Sequence, residues 1–191
     1  MSLSAIVIGY GSIGKRHAKI LQSINEISDI YVLSNQMDLP FKSISSLEET
    51  FEINPDYLVI ASPTTYHYKH LKFIENNFKG KKILVEKPLF NSFKELKIVN
   101  NDVYVGYNLR FHPIITKIKK LIEDRKLWNI NVLCGSYLPE WRPGRDYRNT
   151  TSAKKDLGGG VLLDLSHEFD YVQWLAGRLN LKYAINEKVS N

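Results

Sequence analysis

Near the N-terminus a short apolar run, residues 5–8, stops at Gly9-Tyr10-Gly11-Ser12-Ile13-Gly14, and a helical pattern with Ala18, Leu21 and Ile24 on one face starts at once. An apolar run without polar alternation suits a strand buried on both faces of a parallel sheet. Glycine at this spacing between such a strand and a helix is the dinucleotide-binding fingerprint, the alternative being a purely structural turn of an α/β protein. Gly9 permits a tight turn, Gly11 leaves the backbone bare for close approach, and Gly14 lets helix and strand pack closely. The first helical turn, with Ser12 and Ile13, offers unpaired N–H groups and the positive end of a helix dipole, which suits a dinucleotide's diphosphate.

Further along, apolar runs at 30–33, 57–60, 83–85 and 103–105 read as strands. Helices are expected at 45–50, 67–77 and 93–99, with Gly80 placed to stop the second of these. Strands alternating with helices at this spacing predict a doubly wound parallel α/β sheet over residues 1–107. The pattern then changes. Residues 108–191 carry an expected helix at 113–123, a strand at 130–137, a loop at 138–148, a glycine-led helix at 158–175 and a last strand at 181–185. Two strands are too few for an independent sheet. The second region is therefore expected to be an incomplete α/β (α+β) domain, which pairs with something else or belongs to a longer chain.

Hydrophobic residues at 43% and charged residues at 24% fit a globular protein rather than a disordered tail. The formal charge of +6 comes from lysines spread along the chain, so no basic tract marks a nucleic-acid surface. Cys134 is the single cysteine, which excludes an internal disulfide and a cysteine-based zinc site. The spacing of His67, His112, Asp164 and His167 is not that of a compact metal motif, so no metal is expected. The run at 5–8 is too short for a signal-peptide core or a membrane span, and the expected compartment is the cytoplasm.

About twenty residues past the glycine turn, an NAD-specific site usually offers Asp or Glu to the ribose hydroxyls. This chain has Ser34-Asn35 there, with no carboxylate to repel a 2′-phosphate and no cation to attract one. The pair leans slightly towards NADP and leaves NAD acceptable.

Several motifs follow one another in order: Gly9 to His17 (GYGSIGKRH), Ala61-Ser62-Pro63-Thr64 with His67, Glu86-Lys87-Pro88, Gly106-Tyr107-Asn108-Leu109-Arg110-Phe111, and Gly158-Gly159-Gly160 through Asp164 and His167. With these motifs the sequence resembles the glucose–fructose oxidoreductase / inositol dehydrogenase family, Gfo/Idh/MocA. The resemblance implies an NAD(P)-dependent, hydride-transferring enzyme with a Rossmann domain followed by an α/β domain on a large open sheet. It also implies a full length of several hundred residues, and a homo-oligomer where the second domain is complete. Trp141-Arg142-Pro143 and Asp164 to Glu168 look most like members acting on bacterial surface sugars. A small sugar, nucleotide sugar or polyol is the implied substrate, with neither nucleic acid nor membrane as partner. The rival reading is a truncated remnant that binds dinucleotide, or assembles with a partner, without turnover.

In the family pattern the Glu-Lys-Pro lysine lies at the sheet's C-terminal edge near the nicotinamide, which makes Lys87 the first catalytic candidate. A desolvated lysine there gives up its proton more readily, or stays charged and polarises the substrate oxygen. Pro88 restricts Lys87 to an extended backbone, and Glu86 either positions the ammonium or contacts the cofactor. The bland alternative is a strand-end lysine paired with its neighbouring glutamate. Asp164 and His167, three residues apart, would share one helix face, with His167 taking a hydroxyl proton and Asp164 orienting the imidazole ring or binding substrate. Family members more often place four residues between this pair, so Glu168 stands as an alternative partner, and His167 could instead be structural.

Asn108, Arg110 and His112 would point the same way along an extended segment. Trp141, Arg142, Arg145, Asp146 and Tyr147 form a loop suited to an acidic sugar or, equally, to packing on another subunit. Ala61, Ser62 and Pro63 join the expected cofactor contacts, and His67 either lines the cofactor or caps a helix.

Overall fold

In the computed structural model, which describes residues 2–141, 143, 144 and 146–187, the N-terminal apolar run is β1 (Leu3–Ile8), a central strand of the sheet. The chain divides into two compact units, Met1–Gly106 with Ser136–Asp164, and Tyr107–Gly135 with Leu165–Asn191. The first passage between units thus falls at Gly106–Tyr107, while residues 136–164, which the sequence reading groups with the second region, cluster with the first unit.

In the first unit β1 leads through the glycine turn to α1 (Ser12–Gln22), then β2 (Ile27–Leu33), β3 (Lys42–Ile44), α2 (Thr50–Ile53), β4 (Tyr57–Ile60), α3 (Thr64–Asn77), β5 (Lys82–Val85) and β6 (Asp102–Val105). The strands pair in parallel in the order β3-β2-β1-β4-β5-β6, so the winding reverses between β1 and β4. In open sheets of this kind, ligands sit outside the strands' C-terminal ends at that reversal.

The period-two rule decides the packing. Ile6 and Ile8 of β1 join Leu58, Ile60, Ile83 and Val85 on one face, closed by Leu71 and Ile74 of α3. Ala5 and Val7 join Val32 and Val59 on the other face, closed by Ala18 and Leu21 of α1. Each large side chain taken fully out of water contributes roughly 1.5–3 kcal/mol, so β1 and β4, buried on both faces, hold the unit together.

Three departures in this unit have physical causes. Residues 93–99 form no helix, because the backbone N–H groups of Val99 and Asn100 are taken by the Glu75 carboxylate, both at 2.7 Å. The helix expected at 45–50 begins only at Thr50, since Glu49 folds back to accept from the N–H groups of Ser45 and Ser46 at 2.9 and 3.0 Å. The short edge strand β3 escapes sequence reading because Lys42-Ser43-Ile44 has no apolar run. After 3-10 turns at Leu138–Glu140, Tyr147–Asn149, Thr151–Ala153 and Lys155–Leu157, the unit closes with α5 (Val161–Asp164).

The second unit contains a 3-10 turn, Asn108–Phe111, then α4 (Pro113–Ile122) and α6 (His167–Ala176). Lys119 of α4 donates to the Trp174 carbonyl of α6 at 2.7 Å, and its ammonium lies over the Trp174 ring. The strands expected at 130–137 and 181–185 are not formed: these residues pair with no strand among the described residues. Leu133 is 99% exposed and Leu181 83%, so the apolar pattern has no partner backbone to make a ladder with. The helix expected at 158–175 is also divided. Gly158 and Gly160 have φ of +85° and +101°, which delays α5 until Val161, and 165–166 separate α5 from α6. No helix among the described residues is long and apolar enough to cross a membrane.

Candidate functional site

The register of the sheet assembles the site. Ile8 pairs with Leu33 and with Ile60, Ile60 with Val85, and Val85 with Val105. The next residues of β1, β2, β4, β5 and β6 are therefore level: Gly9, Ser34, Ala61, Glu86 and Gly106. Backbone bonds continue the ladder into this row, from Gly9 to Leu33, Ala61 to Ile8, Glu86 to Ile60 and Gly106 to Val85, each at 2.8–2.9 Å.

Each glycine of the turn has a distinct geometry. Gly9 has φ of +97°, and a Cβ there would stand 2.7 Å from the Ser62 backbone. At Gly14 a Cβ would collide with the Gly9 carbonyl oxygen and lie 3.0 Å from its carbon. At Gly11, the residue that caps α1, a Cβ would meet nothing within 4 Å. The turn thus closes inward at Gly9 and Gly14 and opens outward at Gly11. There the bare backbone, beside Ser12 and Ile13 of the first helical turn, fits a diphosphate.

Beside the turn lies a cleft of about 1080 Å³, walled by Gly9, by Leu33 at the end of β2 with Ser34 and Asn35 after it, by residues 45–48, and by α3 with Tyr66, Lys69, His70 and Phe73. That volume suits a nucleoside-sized ligand. Tyr66 and His70 stack with ring centres 5.9 Å apart, and Ser62 Oγ lies 3.0 Å from His70 Nδ1. Burial, with His67 and Lys69 nearby, pushes the His70 imidazole down to about 4, so it is neutral at ordinary pH. Ser34 Oγ accepts from the Gln36 N–H at 3.1 Å. His67 is buried within α3, Nε2 at 2.8 Å from the Ser62 carbonyl and Nδ1 at 3.1 Å from that of Pro88. Its ring nitrogens thus meet the protein's own backbone, between the loop carrying Pro63 and the one after β5.

Beyond β5, Glu86 Oε1 meets His17 Nε2 of α1 at 2.6 Å. The Lys87–Pro88 peptide is cis, and Lys87 Nζ donates to the Asp164 main-chain carbonyl at 2.8 Å. Lys87 and Asp164 are thus brought together, though through the backbone of Asp164. Asp164 ends α5 and His167 begins α6, so the two do not share one helix as their spacing suggests. In the second unit His167 lies edge-on to the Tyr107 ring at 5.6 Å.

Asn108, Arg110 and His112 do not alternate along an extended segment, because 108–111 is a 3-10 turn. Arg110 forms a two-pronged ion pair with Asp170, its Nε at 2.8 Å, and His112 caps α4 by accepting from the Ile114 N–H. Trp141 donates its indole N–H to Ser136 Oγ, and Tyr147 opens a 3-10 turn capped by Asp146. Arg142 and Arg145 lie outside the described residues.

The sequence reading missed His17, His70 and Tyr66. His17 carries a signal, three residues past Gly14 on the same helix, whereas the role of His70 depends on Ser62 being folded against it.

Residues 3–101 match the profile of a family described as an oxidoreductase family with an NAD-binding Rossmann fold. The chain is 28% identical over 190 residues to the uncharacterized oxidoreductase YrbE of Bacillus subtilis, covering 90% of this chain and 53% of that protein. It is 26% identical over 190 residues to inositol 2-dehydrogenase of Rhizobium meliloti, covering 90% and 54%. The chain spans about half the length of these curated relatives. Among solved structures, the WlbA dehydrogenase of Bordetella pertussis, in complex with NADH and UDP-GlcNAcA, superposes with a TM-score of 0.73 at 20% identity, over 93% of this chain and 59% of that one.

Proposed function

Because this chain belongs to the Gfo/Idh/MocA oxidoreductase family, whose matched region is an NAD-binding Rossmann fold, we propose that it is the cofactor-binding part of an NAD-dependent oxidoreductase acting on a sugar, nucleotide sugar or polyol. The observation that carries the reading is the glycine turn: closed at Gly9 and Gly14, open at Gly11, and set at the reversal of the strand order. Gly9, Gly11, Ser12, Ile13 and Gly14 hold the diphosphate. Ser34, Asn35, Ser62 and Pro63 line the nucleoside's path along the cleft, and Ala61, level with Ser34 at the sheet edge, is a further proposed cofactor contact. NAD is preferred to NADP, since the WlbA complex holds NADH and the slight lean of Ser34-Asn35 towards NADP finds no support in the comparisons. The nucleotide-sugar ligand of the same complex supports a role in surface-sugar synthesis.

Bound nicotinamide supplies a hydride acceptor or donor for one carbon of the substrate. The chain's own residues handle the matching proton on that carbon's oxygen. Lys87, at the sheet edge and oriented through Nζ by the Asp164 carbonyl, keeps further N–H bonds to hold the substrate oxygen and exchange its proton. His167 is a further proposed proton-handling residue, and Asn108, Arg110, Trp141, Arg142 and Tyr147 are the proposed sugar contacts. Residues 1–107 are the proposed cofactor domain, and 108–191, of which 136–164 cluster with the first unit, are proposed to contribute to the substrate and oligomerisation domain.

The test is a fluorescence titration of the chain with NADH and with NADPH, followed by Lys87→Ala. Saturable NADH binding that survives in K87A, with turnover of candidate sugars lost, is the expected result. A folded chain that binds neither nucleotide would sink the proposal.

A further inference from the structure

His17 and Glu86 stand on different elements, α1 and the end of β5, and their side chains are only 16% and 14% exposed. Their contact is short, Nε2 to Oε1 at 2.6 Å, and an ionised carboxylate only accepts, so His17 donates. The other oxygen, Oε2, faces the Lys87 N–H at 3.3 Å. A third side is closed by the backbone after β6: a Cβ on Gly106 would come within 3.2 Å of Oε1. A carboxylate so poorly hydrated requires a partner, and His17 is the side chain that supplies it. Lys87 is consequently held at both ends, its N–H by Glu86 and its Nζ by the Asp164 carbonyl.

We propose that His17 is a positioning residue that couples the diphosphate-binding helix α1 to Lys87 through Glu86. The inference rests on the cofactor reading given above. A ligand seated on the first turn of α1 biases the placement of that helix. His17, one turn beyond Gly14, passes the bias to Glu86 and so to the Lys87 backbone. Coupling of this kind is reciprocal: what loosens His17 from Glu86 weakens both nucleotide binding and the nucleotide's effect on Lys87.

The experiment measures acylation of Lys87 by acetic anhydride, read by peptide mass spectrometry with and without NADH, beside the NADH Kd of the same samples. The samples are the parent chain, His17→Leu and His17→Gln, whose amide N–H reaches the same carboxylate. In the parent, NADH slows Lys87 acylation by about fivefold or more, the lower end of ordinary coupling. In H17L the NADH effect on Lys87 is lost and Kd rises, while H17Q restores both. If leucine unfolds the unit, His17→Asn, polar but too short to reach Glu86, carries the same expectation. Parent-like coupling in folded H17L or H17N overturns the proposal, as does a parent that binds NADH with no change at Lys87. A parent that binds no NADH overturns the cofactor reading itself, and the coupling falls with it.

Discussion

Alanine at Gly11 and at Gly14 separates binding from packing within one turn. At Gly11 the backbone is extended, φ −72° and ψ −167°, and a methyl would touch nothing within 4 Å. Alanine caps a helix less well than glycine, while a stiffer unfolded chain gives back about 0.4–1 kcal/mol. The two effects nearly cancel, so the melting temperature of G11A stays within a few degrees of the parent. The methyl nevertheless projects where a diphosphate approaches, and NADH binding should weaken by at least tenfold, about 1.4 kcal/mol. Gly14 behaves oppositely. Helix propensity favours alanine by about 1 kcal/mol, but its Cβ collides with the Gly9 carbonyl. Gly9 has little room to yield, since its N–H is bonded to Leu33 at 2.9 Å and the Ser62 backbone closes its other side. Overpacking against rigid backbone reaches about 3 kcal/mol or more and wins, lowering the melting temperature of G14A by roughly 5–10 °C. Thermal melts and NADH titrations of both variants check this. A G11A chain that binds NADH like the parent, or a G14A chain that melts higher, would refute the reasoning.

Two further predictions concern titratable groups of α3. Burial alone would raise the Glu75 carboxyl, but donors from Val99, Asn101 and Asn100 bring it below its usual value of 4.5, so its stabilisation is complete above that value and fades as pH falls through the lower folded value. Glu75→Ala strands three N–H donors, should cost about 3 kcal/mol in urea unfolding at pH 7, and should flatten the acid limb; an unchanged midpoint would refute it. For His70, the folded state at about 4 against 6.5 unfolded means stability is full above 6.5 and declines as pH drops towards 4. His70→Gln should lose that slope between urea melts at pH 7 and pH 5, and an imidazole titrating near 6.5 by NMR would overturn the assignment.

Much of this molecule is written in short stretches of chain. Strand, glycine turn and helix at 5–24 declare themselves because both their periodicity and their backbone requirements are local. The strands around 57–60, 83–85 and 103–105 are likewise apolar runs bounded by turn residues, and Lys87 stands out by its motif. Partnership across the chain is a different matter. Residues 130–137 and 181–185 have strand patterns, yet a strand exists only with a neighbouring backbone to bond to. Residues 93–99 have a helical pattern, yet Glu75, some twenty residues earlier, holds the N–H of Val99. Arg110 looks like a free guanidinium until Asp170 is folded against it. The contact of His17 with Glu86 spans 69 residues and arises because the register of β1 and its neighbours brings α1 and the end of β5 together. Sequence by itself determined the type of sheet and the turn at its reversal, because those depend on local pattern and glycine stereochemistry. Only the tertiary structure decided which charges pair and which apolar runs become strands, because both depend on groups that chain folding alone brings near.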